Sequence, residues 1–186
     1  MLTLASLWMP ILLSAVLVFF ASSLIHMVFK WHNSDYRKLP NEDAVRAVLG
    51  SAQLPPGEYM LPHCVHGKEM GAPEMQQKLK DGPNGMLTLR ANGMPNMGTS
   101  LSQWFVFALV LAALAACLSC LVLGRGAAQH TVFHFFALVT FMSYAAGSFV
   151  NGIWMGKPWR AVGKDALDSL IYAALTGAAF AWLWPQ

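Results

Sequence analysis

The 186-residue chain is 56% hydrophobic and only 11% charged, with a mean hydropathy of +0.46. A soluble domain carries about 25% charged residues, so this balance excludes an ordinary soluble protein. The net charge is +3 and no basic run is interleaved with aromatics, which excludes nucleic acid as the expected partner.

At the N-terminus, MLTLASLWMP has no lysine or arginine, so it lacks the positive n-region of a signal peptide. The apolar run over 7–29 is also longer than a typical h-region, and it is expected to stay as a helix. Three more runs, 101–123, 131–154 and 167–184, reach the roughly twenty apolar residues that a crossing helix needs. Apart from Pro10 near an end, none contains proline, so each backbone can satisfy its own hydrogen bonds in lipid. All seven tryptophans (Trp8, Trp31, Trp104, Trp154, Trp159, Trp182 and Trp184) fall within a few residues of a span end, as interfacial anchors do.

Between the first two spans lies an extramembrane insert, 31–100. Within it, Asn41 sits where a helix N-cap is expected, acidic residues follow, and Gly50 closes a short helix. Residues 58–61 read as a strand, 73–80 as a second helix, and 86–90 as a second strand, because Leu87 and Leu89 alternate with Thr88 and Arg90. This α-β-α-β order is too small to bury much core alone and is expected to lean on the membrane surface or on the spans. The predicted fold is an all-α membrane bundle of four transmembrane helices, with a small α+β extramembrane insert between helices 1 and 2.

The short 124–129 connection makes spans two and three an antiparallel hairpin, and 155–164 makes spans three and four neighbours. Ala173 and Gly177 have the small-xxx-small spacing that permits close helix approach, within a chain or between chains. Lys30, Arg37, Lys38, Arg90, Lys157, Arg160 and Lys164 fall on the insert side, whereas the opposite side has Arg125 alone. The positive-inside rule then places the insert in the cytoplasm and both termini outside.

Three sets of residues carry possible chemistry. In the insert, His63, Cys64 and His66 are donors for zinc or copper, with methionines nearby whose thioethers suit copper(I). Their spacing matches no standard zinc signature, and packing methionines with solvated histidines are the plainer reading of the run. In the second and third spans, Cys120 and His134 come to similar depth across the hairpin and could ligate a metal or, through the histidine, a haem. The competing reading is a cysteine acting as a small hydrophobe. On the insert side, His26, Asn151 and Asp168 each lie about one turn inside a span. A charge there is expensive and seeks a partner in the bundle. Pairing of His26 with Asp168, accompanied by Asn151 and Ser148, would serve proton handling or substrate polarisation, and would equally serve as an ion pair fixing helix register. An Asp168 that caps its own helix beside Lys164 is the plainer alternative. No phosphate-binding loop, dinucleotide fingerprint, zincin motif or nucleophile elbow is present, and the three cysteines form no disulfide framework.

The opening LWMPILLSAVLVFFASSLIHMVFKWHNSDYRKLPNEDAVR and the closing GIWMGKPWR and DALDSLIYAALTGAAFAWLWPQ resemble a family of uncharacterised four-span bacterial inner-membrane proteins. The YMLPHC run and the Met97-Gly98-x-Ser100-Leu101-x-x-Trp104 pattern belong to the same resemblance, which covers most of the chain. It implies a bacterial inner-membrane setting and a four-span plan, and no activity. The expectation is a structural or accessory membrane protein, a subunit or small homo-oligomer whose insert meets a membrane-protein partner. The alternatives are a metal- or haem-handling protein and a small membrane enzyme using His26 and Asp168.

Overall fold

The computed structural model describes residues 2–64 and 66–186. In chain order, a 3-10 turn (Leu4–Leu7) leads into α1 (Trp8–Ser23), which continues through a π-helical turn (Leu24–Phe29) to a second 3-10 turn (Trp31–Asp35). Then come α2 (Glu42–Ser51), β1 (Gly57–Leu61), α3 (Gly67–Met70), α4 (Pro73–Asp81) and β2 (Gly85–Leu89). Three long helices follow: α5 (Met97–Val122), α6 (Gln129–Trp154) and α7 (Trp159–Trp182). The chain is mostly helical, with one small two-stranded sheet.

Two compact units result. One combines Met1–Tyr36, Asn96–Gly152 and Lys157–Gln186; the other combines Arg37–Pro95 and Ile153–Gly156. The turn Trp31–Asp35, which composition assigns to the insert, therefore belongs with the helices.

Three stretches, Leu4–Phe29, α5 and α6, are each 26 residues long and apolar enough to cross a membrane. At 1.5 Å per residue each is about 39 Å long, more than the roughly 30 Å hydrocarbon core. Together they fit a multi-pass membrane protein. Their outward faces keep large apolar side chains exposed, among them Phe20, Leu121 and Leu138. Helix α7 is different. It begins at Trp159, and Arg160, Lys164, Asp165 and Asp168 occupy its first ten residues. The apolar run over 167–184 is thus mostly the second part of a longer helix with a charged beginning, and α7 does not join the other three on apolarity. Its buried share is nevertheless larger than that of α1, α5 or α6.

Several of the starts and stops have a local cause. Asn96 caps α5 by accepting the Thr99 N–H at 3.1 Å, which pulls the helix start ahead of residue 101. Pro73 takes the first position of α4, where its missing N–H costs nothing, and Gly82, at φ 66°, ends it. Asn41 does occupy the N-cap position of α2, but its backbone carbonyl rather than its side chain does the bonding.

In the helical unit, α1 packs on both α5 and α7. One core joins Leu7, Ile11, Ala112, Ala116, Val132, Phe136, Phe180 and Trp184; a second joins Ala15, Val18, Ile25, Ala108 and Tyr172. Helices α6 and α7 meet closely at Gly177, where an added Cβ would lie 2.8 Å from the Phe133 carbonyl oxygen. Gly177, one of the two small residues of the Ala173/Gly177 spacing, is therefore used within the chain. Next to it, Phe136 stacks on Phe180 with ring centroids 3.6 Å apart. The C-terminal tail ties down the α5–α6 connection: the Trp184 indole donates to the Gly124 carbonyl at 3.1 Å, and the Gly126 N–H donates to Pro185 at 3.0 Å.

In the other unit, β1 and β2 pair antiparallel, with Tyr59 opposite Leu87 and Gly57 opposite Leu89. None of the described residues between 37 and 95 is buried.

Candidate functional site

The site begins with an irregular end to the first helix. Over Leu24–Phe29 the hydrogen bonds lengthen to i→i−5, closing with the Lys30 N–H on the Ile25 carbonyl at 2.8 Å. Lys30 then adopts a left-handed conformation, φ 53°, which costs a non-glycine residue about 1–2 kcal/mol. The chain reverses there, and the 3-10 turn Trp31–Asp35 is laid against α7. This reversal brings His32 back beside His26, ring edge to ring face, with centroids 4.9 Å apart.

Helix α7 meets the turn with one charged face. Asp168 lies four residues after Lys164 and three after Asp165, so it is a neighbour of each on the helix surface. The Lys164 ammonium has three protons to donate and reaches three acceptors: the Trp31 carbonyl at 2.6 Å, the Ser34 hydroxyl at 2.8 Å and Asp35 Oδ1 at 2.6 Å. His32 lies between two carboxylates. Its Nδ1 is 3.0 Å from Asp35 Oδ2 and its Nε2 is 2.9 Å from Asp168 Oδ2. Asp165 accepts from the Ser148 hydroxyl and from the Lys157 ammonium. The Lys164 ammonium, with His32 contributing less, holds the Asp35 carboxyl below the usual carboxylate range against the opposing effect of burial.

Three carboxylates and two ammonium groups thus gather around His32. Two buried polar atoms in the area have no hydrogen-bond partner, Asp168 Oδ1 and the Trp31 indole nitrogen. Two cavities, of about 340 and 450 Å³, share His26, Lys157 and Asp165 in their walls. The smaller one is lined by Asn151, Ser148 and Asp168 on its polar side and by Trp104, Tyr144 and Tyr172 on its aromatic side. Trp104 is fixed there by donating to the Ser22 hydroxyl at 2.7 Å. Such an arrangement can hold and relay a proton, or bind a cation.

The structure brings His26, Asn151 and Asp168 to one cavity, with a different bonding pattern from the one expected. Asp168 bonds to His32, not His26. Asn151 contributes its carbonyl to the Lys157 N–H at 3.1 Å, and Lys164 serves Asp35, not Asp168. Sequence reasoning missed His32, Asp35 and Asp165. Two spacings could have found them: His32 and Asp35 stand three apart just after a span, as do Asp165 and Asp168 within one helix.

The other candidate ligands stay apart. His63 and His66 are exposed in the loop after β1, where the Cys64 thiol is 3.7 Å from the His66 carbonyl. Cys120 packs against the first apolar core, and His134 is exposed with its Nδ1 2.6 Å from the His130 carbonyl one turn back. Among the described residues, only His26, His32 and Asp168 form a group of three whose ligand atoms lie within 4.8 Å of one another. No protein-family model, curated protein or solved structure matches the chain.

Proposed function

We propose that the chain is a multi-pass bacterial inner-membrane protein of structural or accessory type, with α7 as a fourth span and the insert in the cytoplasm, where it engages a protein partner. The observation that supports this is the absence of any buried residue among the described residues from 37 to 95. The same stretch exposes Val48 at 68%, Met94 at 96%, and Leu39, Met60 and Leu61 at around half. Apolar surface gains about 25 cal/mol for each Å² removed from water, so a partner covering these side chains supplies the core that the insert does not build for itself.

A photo-crosslinking amino acid placed at Val48 or Met94 of the full-length protein in its native membrane tests this reading. A discrete adduct with one protein, a second copy or another subunit, is the expected result. If both positions yield only uncrosslinked monomer, the accessory role is wrong.

A further inference from the structure

His32 turns both ring nitrogens toward carboxylate oxygens. A neutral imidazole has one N–H, so a ring donating to Asp35 through Nδ1 presents a lone pair to Asp168. A lone pair and a carboxylate oxygen 2.9 Å apart are held together by a cation between them, either a proton or a metal ion. Three features go beyond what a proton needs. Asp168 is only 5% exposed and its second oxygen, Oδ1, is buried without a partner, although buried polar atoms are nearly always satisfied. His26 brings a second imidazole to the same place, so that one ligand atom from each of the three residues falls within 4.8 Å of the others. Behind His32, Asp35 accepts at Nδ1 and is itself pinned by Lys164. That is the outer-shell carboxylate that fixes the tautomer and orientation of a metal-bound histidine.

We propose that His26, His32 and Asp168 form a binding site for a divalent transition-metal ion, zinc by the chemistry of the set. Two imidazoles and one carboxylate are nitrogen and oxygen donors that suit zinc and carry no soft sulfur. Bonds of about 2.0–2.2 Å in a tetrahedral site place donor atoms about 3.3–3.6 Å apart. His32 and Asp168 separate by a few tenths of an ångström to reach that spacing. His26, exposed on the helix flank, closes the remaining distance by rotating its side chain. Three protein ligands leave a fourth position open, and His26 and Asp168 both line the cavity of about 340 Å³, from which water reaches the ion.

Full-length protein in detergent, stripped with a chelator, is titrated with zinc against a chromophoric competitor. One ion per chain is expected. His26→Gln should weaken binding by at least about 100-fold, at or beyond the 10- to 100-fold loss typical of an outer-shell partner. Replacing His63, Cys64 and His66 together should leave it unchanged. Because His26 is exposed, its variant keeps the fold, so the test does not depend on Asp168 variants that disturb the bundle. Cobalt substituted into the wild-type protein gives an independent reading: tetrahedral d–d bands without a thiolate charge-transfer band. The proposal is overturned by a chain that binds no stoichiometric zinc, by a His26→Gln variant with unchanged affinity, or by a cobalt spectrum showing thiolate ligation.

Discussion

Asp35 shows how one residue ties a turn to a helix. Its carboxyl faces the Lys164 ammonium at 2.6 Å and the His32 ring at 3.0 Å, and its pKa is lowered in the fold. Because the folded value lies below the unfolded one of about 3.9, Asp35 stabilises the protein at every pH above that figure. The contribution is lost as the pH falls from there through the folded value. Asp35→Asn should therefore lower the Tm at neutral pH, and the gap to wild type should close below about pH 4. A gap of equal width at pH 3 and pH 7, followed by thermal unfolding in detergent, would show that the charge on Asp35 is not what holds the turn. His32 escaped sequence reading for a related reason. Composition places it in a polar stretch beyond the span, and a single left-handed residue, Lys30, returns it to the bundle. Nothing in hydropathy registers a reversal made by one φ angle.

Among the elements, the α6–α7 contact at Gly177 leaves no room for a side chain. An alanine at 177 would press its Cβ against the Phe133 carbonyl, whereas Gly147 has open space around its Cβ position. Gly177→Ala should cost about 1–3 kcal/mol, the range for overpacking a fitted interface. Gly147→Ala should be neutral or slightly stabilising, as glycine in a helix interior costs about 0.5–1 kcal/mol relative to alanine. Equal Tm values for the two variants would show that the helices do not meet at 177. The three long apolar helices were readable in the sequence because about twenty apolar residues in lipid leave the backbone few alternatives to a helix. The limits of α7 were not. Its first turns are charged yet helical, since their polar groups pair with the Trp31–Asp35 turn and with Ser148, partners that lie far away in sequence. The second strand was readable from the alternation of Leu87 and Leu89 with Thr88 and Arg90, and the pairing of the two strands sets Tyr59 opposite Leu87.

For the whole molecule, every residue of the His32 network lies in the helical unit, within Met1–Tyr36, Asn96–Gly152 or Lys157–Gln186. Replacing Arg37–Pro95 by a flexible linker of about 20 residues, which reaches roughly 25 Å on average, should leave a monodisperse protein with near-native helicity. The same replacement should abolish recovery of the partner protein in a mild-detergent pull-down. Aggregation of the shortened chain in mild detergent, with loss of helicity, would show that the helices depend on the insert. Lys164 has a further consequence, one of timing during synthesis. It binds the Trp31 carbonyl across 133 residues of sequence, and His32 reaches Asp168 across 136. The first helix is made early, but its closing turn lacks Lys164 and Asp168 as partners until α7 has left the ribosome. The nascent chain thus carries an unfinished turn until α7 emerges and completes it.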